Sequence, residues 1–329
     1  MNPLLRLALL SATTLILFGG MASLLVSFAY PRRRAGLLHL PPDARARRVV
    51  AWAALPWLAA AGLLVLCFAP SIWAVFGLAA DHCPLHGDGH IHLCLAHAPS
   101  RPVTPAEWLL LGAWAVVIGA VALRIARAQF VTWRAVSSLL RVAGREPSGG
   151  GLIECGEPLS VTAGLLTPVV LVSTGLRRRL SPQHLVAVLA HERAHADRRD
   201  PLRLLAVSLL GAAHAPTMRR LLLEDAALAC EEAADELAAR EVGDRVVVAE
   251  AILAVEHLLG QHGRQVGLAL GMDGCAAEVR VEALLADPLP EAPASNFRRF
   301  LWAALAALSL AGALEIHHLT ETVLDLIAR

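Results

Sequence analysis

The stretch LAHERAHADRRD, residues 189–200, decides how this chain is read. It sets His191 and His195 four positions apart, so on a helix both imidazoles leave one face and can bind a single metal ion. Glu192 sits one step round from the first histidine, placed to take a proton from a metal-held water. A zinc ion lowers the pKa of such a water to about 7, making hydroxide available at neutral pH. Upstream, Ser181 and Pro182 form a helix start, serine as N-cap and proline at the first helical position. The competing reading is a charged surface helix with incidental histidines. A third ligand separates the two, because catalytic zinc takes three protein ligands and keeps its fourth position open.

The candidate third ligand lies in ALACEEAADELAAREV, residues 227–242, a run of strong helix formers. Glu231 and Asp235 are spaced i, i+4, so one carboxylate can bind metal while the other orients a ligating histidine. Glu232 and Glu224 are rivals that spacing does not exclude, and the bland reading of this acidic run is a solvated helix face. Cys230 reads as a small buried residue. Between residues 152 and 173, LIECGEPLSVTAGLLTPVVLVS reads as a small set of strands, with VVLVS (169–173) as an edge strand.

Outside this region the chain is apolar. Of its 329 residues 56% are hydrophobic and 17% charged, which implies several membrane spans around one modest polar domain. The expected spans are 7–29, a segment inside 49–80 in which Pro56 and Pro70 imply a kink or a short re-entrant end, 106–126 and 300–316. The first has its arginines after it (PRRRAG, 31–36), not before, and reads as a retained anchor rather than a cleaved signal. There is no lysine, so arginine alone sets orientation and can anchor to lipid headgroups. Arg32, Arg33, Arg34, Arg45, Arg47 and Arg48 fill the 31–48 loop, whereas the 81–104 loop holds only Arg101. Arg124, Arg127, Arg134, Arg141 and Arg145 follow the third span, and Arg298 and Arg299 precede the fourth. This bias puts the N-terminus and C-terminus outside and residues 129–299 in the cytoplasm, with Arg6 the one dissenter. REPSGGG (145–151) and ADPLPEAPAS (286–295) read as flexible joints. The run 202–216 is too short to span and reads as core or as a segment lying on the membrane. A net charge of +1 provides no field for nucleic acid, so direct nucleic-acid binding is not expected.

LSPQHLVAVLAHERAHADRRDPL (180–202) followed by CEEAADELAA (230–239) resembles the M56 family of membrane-embedded metallopeptidases and, more distantly, the M48 peptidases. TPVVLVSTGL, GDRVVVAEAILAV and RVEALL, and the layout of three spans, a catalytic loop and a fourth span, add to that resemblance. It implies His191, His195 and Glu231 as zinc ligands, Glu192 as catalytic base and Asp235 as the supporting acid. After residue 316 only a 13-residue tail, HHLTETVLDLIAR, remains, which leaves no room for the penicillin-binding sensor domain of the family's BlaR and MecR transducers. The only tyrosine, Tyr30, sits at a membrane edge and is removed as an oxyanion stabiliser. His214, His257, His262 and nearby arginines stay open for that role.

The expected architecture is a mainly α membrane protein, with four transmembrane helices and a cytoplasmic α+β, zincin-like domain. Its parts are 1–128 (three spans), 129–297 (peptidase) and 298–329 (fourth span and external tail). The expected function is a one-zinc endopeptidase of the bacterial inner membrane, cutting a cytoplasmic or membrane-proximal protein, with a transcriptional repressor as the family-implied partner. The alternatives are a non-catalytic signalling protein with a structural zinc and a metal-sensing outer loop, or an M48-like quality-control peptidase. That outer loop, DHCPLHGDGHIHLCLAHAP (81–99), offers Cys83, Cys94, His86, His90 and His92 for a metal, or the two cysteines for a disulfide.

Overall fold

Long apolar runs and alanine-rich segments make the chain mostly helical. The computed structural model describes residues 3–80, 93–94, 105–142, 144–145, 151–165, 167–261, 275–287 and 306–328. Helices α1 (Pro3–Leu37), α2 (Pro42–Val75) and α3 (Pro105–Val142) lead into four short strands: β1 (Gly144–Arg145), β2 (Gly151–Ile153), β3 (Ser160–Ala163) and β4 (Val169–Ser173). Helices α4 (Thr174–Arg179), α5 (Pro182–Arg198), α6 (Asp200–Leu210), α7 (Pro216–Val242), α8 (Arg245–Gln261), α9 (Cys275–Leu285) and α10 (Ala313–Ala328) follow. Contacts divide the chain into two compact units. One comprises Met1–Ala29, Ala54–Arg124 and Pro293–Arg329; the other comprises Tyr30–Ala53 and Ile125–Ala292.

Two helices among the described residues, Leu5–Leu37 and Pro42–Val75, are long and apolar enough to cross a membrane. Four spans are therefore not shown among the described residues. The third expected span falls on α3, within which Leu111–Leu123 is an apolar stretch. Residues 300–305 of the fourth lie outside the described part. Neither Pro56 nor Pro70 ends α2, which runs through both to Val75; each removes one backbone bond that a long helix absorbs. The expected external tail is itself helical, forming most of α10.

In the first unit Leu10, Cys67, Leu93 and Leu324 form a buried cluster. In the second, the sheet order is β1-β2-β4-β3, with β2 parallel to β4 and β3 antiparallel to it. VVLVS is thus an inner strand and not the expected edge. Its unbroken apolar run suits a strand flanked on both sides, while β3, with Ser160 and Thr162, takes the edge. The buried Ser173 hydroxyl caps α4 through Leu176 N, donates to Glu157 O and accepts from Leu159 N, pinning the start of β3. Gly175 is obligatory there, since a Cβ would lie 2.4 Å from Gly156 O.

Helix α5 begins as expected: Ser181 accepts from His184 N and Pro182 opens the helix. It packs on α7 and α8 through a core of small residues, Ala187, Ala190, Ala238, Ala239, Ala249 and Ala251. Alanines at such a seam let helix backbones approach closely, which brings polar side chains of α5 and α7 within reach of each other.

Residues 30–53, expected to belong with the spans, are part of this second unit. Here Arg34 and Arg45 pair with protein acids. Arg34 Nη2 lies 2.7 Å from Asp225 Oδ1 on α7, and Tyr30 donates to Asp225 Oδ2 at 2.7 Å. Arg45 and Glu232 form an ion pair in which both side chains are only 8% exposed.

Candidate metal centre

Helix periodicity turns His191 and His195 to one face of α5, and the alanine seam sets Glu231 of α7 opposite them. His191 Nε2 lies 3.0 Å from His195 Nε2. Glu231 Oε2 is 3.4 Å from the first nitrogen, and Oε1 is 3.4 Å from the second. Zinc bonds of 2.0–2.1 Å in a tetrahedron separate neighbouring ligand atoms by roughly 3.3 Å, and these separations are near that value, with one carboxylate oxygen facing each imidazole. The donor set, two imidazoles and a carboxylate, suits zinc. These three residues could hold a metal ion.

The outer nitrogens of both imidazoles lie beside acids. His195 Nδ1 is hydrogen-bonded to Asp200 Oδ2 at 2.9 Å, which sets its tautomer and points Nε2 at the shared point. His191 Nδ1 lies 2.8 Å from Asp235 Oδ1 as an ion-pair contact. Asp235 therefore sits where the spacing argument expected a supporting acid. Asp200 was not foreseen in that position. The turn that delivers it is Arg199, whose left-handed φ of 53° ends α5 and reverses the chain into α6. Arg198 and Arg203 bracket Asp200 at 3.1 and 3.0 Å and both also reach Asp43 at the start of α2.

Arg280 of α9 was not foreseen either. Its Nη1 is 3.0 Å from Glu231 Oε2, and its Nε and Nη2 donate to both Asp235 oxygens at 2.8 Å. It comes 45 residues after Asp235, a separation that carries no spacing signal. The rivals of Glu231 are committed elsewhere, Glu232 to Arg45 and Glu224 to Arg220. Cys230 is buried beside Ala46 and Ala229, and burial pushes its thiol up to about 12.

Glu192 is buried beside the histidines and gripped by the edge strand. Ser160 donates to Oε1 at 2.8 Å, and Thr162 Oγ1 lies 2.8 Å from both Oε2 and the Glu192 backbone oxygen. Of the histidines left open for oxyanion stabilisation, His214 is buried against the Trp52 and Ala53 backbone. His257 is exposed on α8, and His262 lies outside the described residues. The outer-loop residues Cys83, His86, His90 and His92 also lie outside them; Cys94 is buried.

The charges are strongly coupled. Burial alone would depress the imidazoles, but Asp235 raises His191, and Glu231 with Asp200 raises His195 to about 10. Burial alone would raise Glu231, but Arg280 and His195 hold it well below the ordinary carboxylate range. Asp200 and Asp235 are lowered in the same way, against burial, by their histidine and arginine partners. His195, raised from 6.5 to about 10, stabilises the metal-free fold fully below pH 6.5 and loses that contribution as pH climbs to 10. Glu231, depressed from 4.5, contributes above that pH and fades only well below it. The melting temperature of chelator-treated protein is therefore expected to be flat between about pH 5 and 6.5 and to fall towards pH 10. Zinc affinity should instead weaken on acidification, because protons compete for the ligands. Differential scanning fluorimetry across this range checks both trends.

The orienting acids carry a further expectation. Asp200→Asn and Asp235→Asn should each weaken zinc binding by about 10–100-fold. Asp197→Asn, at an exposed position on the same helix, should leave it unchanged. Competition titration with a chromogenic chelator reads the difference.

Residues 162–266 match the sequence model of peptidase family M48. No curated protein and no solved structure matches the chain. The matched segment runs from Thr162 on β3 through α8 and includes His191, Glu192, His195, Glu231 and Asp235, while Arg280 lies beyond it. The M56 resemblance is corrected by this match. Two histidines flanking a glutamate, then a glutamate four before an aspartate, are features both kinds of peptidase share. Besides the motif, the M56 reading rested on TPVVLVSTGL, GDRVVVAEAILAV and RVEALL and on a four-span layout, and four spans are not shown among the described residues. The match covers roughly a third of the chain and, together with the His191–His195–Glu231 group inside it, supports reading this protein as a metallopeptidase.

Proposed function

We propose that this chain is a membrane-anchored, zinc-dependent endopeptidase that cuts extended polypeptides near the bilayer, as an M48-like quality-control peptidase would. The observation that carries this is the triplet His191, His195 and Glu231 with edges of 3.0, 3.4 and 3.4 Å, with Glu192 next to it on α5. Zinc held by these three residues supplies Lewis acidity that polarises a peptide carbonyl and acidifies water. Glu192 takes the proton of the attacking water as its oxygen bonds to the carbonyl carbon. It then returns that proton to the amine nitrogen as the C–N bond breaks. Ser160 and Thr162 hold the two Glu192 oxygens for this exchange, and Asp200 and Asp235 hold the rings.

The substrate class follows from the edge strand. Strand β3 pairs with β4 on one side only among the described residues, and its Ser160 and Thr162 touch Glu192. An extended peptide added to that edge by main-chain hydrogen bonds would lie beside the catalytic glutamate. Main-chain pairing gives affinity without demanding a particular sequence, which suits unfolded substrates. The arginine bias supports a cytoplasmic active site, with the two apolar helices as anchors.

The test compares new protein N-termini in cells carrying the wild type or Glu192→Gln. Many wild-type-only cuts, concentrated in unfolded or membrane-proximal segments, are expected. A single cut in a transcriptional repressor would instead support a regulatory protease, and no difference would overturn the peptidase reading.

A further inference from the structure

The unit formed by Met1–Ala29, Ala54–Arg124 and Pro293–Arg329 buries polar side chains that the peptidase reading does not use. On α10, His317, Thr320, Glu321 and Asp325 are all buried, with His317 at 0% and Glu321 at 4% exposure. They recur at i, i+3, i+4 and i+8, a polar stripe on one face of a helix whose unit also buries Arg6, Thr14, Ser23 and Ser71. Ionisable groups buried in such surroundings are costly, and where they persist they mark a binding or transport function.

The geometry around His317 is that of a ligating histidine. Its Nδ1 donates to the Cys67 backbone oxygen at 2.7 Å, which fixes the tautomer and leaves Nε2 as the coordinating atom. That Nε2 lies 3.2 Å from Glu321 Oε1, close to the roughly 3.3 Å edge of a tetrahedral zinc site. His318 follows directly, its ring centroid 5.4 Å from that of His317. One ligand atom from each of His317, His318 and Glu321 lies within 4.8 Å of the others. Glu321 Oε1 also accepts from Leu93 N at 2.8 Å, so the carboxylate is anchored from a second segment.

We propose that His317, His318 and Glu321 form a second metal site, which takes a divalent transition ion and is independent of the peptidase centre. Two imidazoles and one carboxylate favour zinc, cobalt, nickel or copper over magnesium or calcium, which prefer all-oxygen shells. The sequence suggested metal binding in the 81–99 loop. Of the described part of that loop, Leu93 enters the proposal, as the backbone clamp on Glu321.

Zinc content of tag-free full-length protein in detergent tests this. Wild type should hold two ions per chain, and His191→Ala/His195→Ala should hold one. Adding His318→Ala and Glu321→Gln to that background should remove the remaining ion; glutamine still offers Leu93 N–H an acceptor. Zinc X-ray absorption of His191→Ala/His195→Ala provides a reading with the second site intact, and a mixed imidazole and oxygen shell is expected. No ion in that background, an ion indifferent to the added substitutions, or a shell without imidazole would overturn the proposal. Because the peptidase ligands are already removed, such a failure leaves the peptidase reading untouched.

Discussion

Glu192→Gln is expected to slow cleavage of an unfolded protein by about 10²–10⁴-fold while zinc stays bound. Glutamine matches glutamate in shape; its amide oxygen can accept from one of the Ser160 and Thr162 hydroxyls and its amide N–H can donate to the other, so the local geometry should survive. What disappears is the ability to take a proton from water and hand it to the leaving nitrogen. Purified wild-type and variant protein, assayed on unfolded casein and analysed for metal, provide the comparison. Variant activity within a few-fold of wild type would remove Glu192 from the chemistry and return the acidic contact with β3 to a purely structural role.

Arg280→Met is the second large effect. Glu231 and Asp235 lie side by side on α7, and Arg280 is the cation within 3.0 Å of both. Removing one partner of a buried ionic group leaves uncompensated charge, which typically costs about 3–5 kcal/mol. The metal-free variant is therefore expected to melt well below the wild type. Zinc should recover part of the loss, since the ion supplies positive charge to Glu231 and, through His191, to Asp235. Thermal melts with and without zinc measure this. Equal melting of variant and wild type without metal would mean that the two carboxylates do not depend on Arg280.

The site was legible in the sequence where its geometry is local. An i, i+4 pair on one helix dictates a shared face, so His191 with His195, and Glu231 with Asp235, followed from spacing alone. The choice of Glu231 over Glu232 and Glu224 did not follow, because it depends on which carboxylates Arg45 and Arg220 engage. Asp200 was hidden by a backbone conformation: it reaches His195 through a left-handed arginine, which no residue pattern announces. Arg280, Ser160 and Thr162 arrive from separate elements, and their roles exist only once α9 and β3 are packed on α5 and α7. The edge strand was misassigned because an apolar run such as VVLVS fits either an inner or an outer place until its neighbours are known.

The membrane layout was less legible. Hydropathy identifies α1 and α2, but α3 carries its apolar stretch inside a 38-residue helix, and the predicted external tail is a helix with a buried polar face. Arginine counts treated the 31–48 loop as free to face lipid. In the structure, Arg34 and Arg45 are partly consumed by Asp225 and Glu232, so the basic loop here serves protein packing. The family assignment shifted for a related reason: the motif residues are common to two kinds of peptidase, and the layout could not separate them.

Zinc add-back to chelator-stripped protein tests the central claim most directly. Cleavage of unfolded casein should vanish on stripping, return with zinc in the wild type, and stay absent in Glu231→Ala at the same zinc concentration. Casein cleavage that survives stripping, or that zinc restores in Glu231→Ala as fully as in the wild type, would contradict a catalytic ion held by His191, His195 and Glu231.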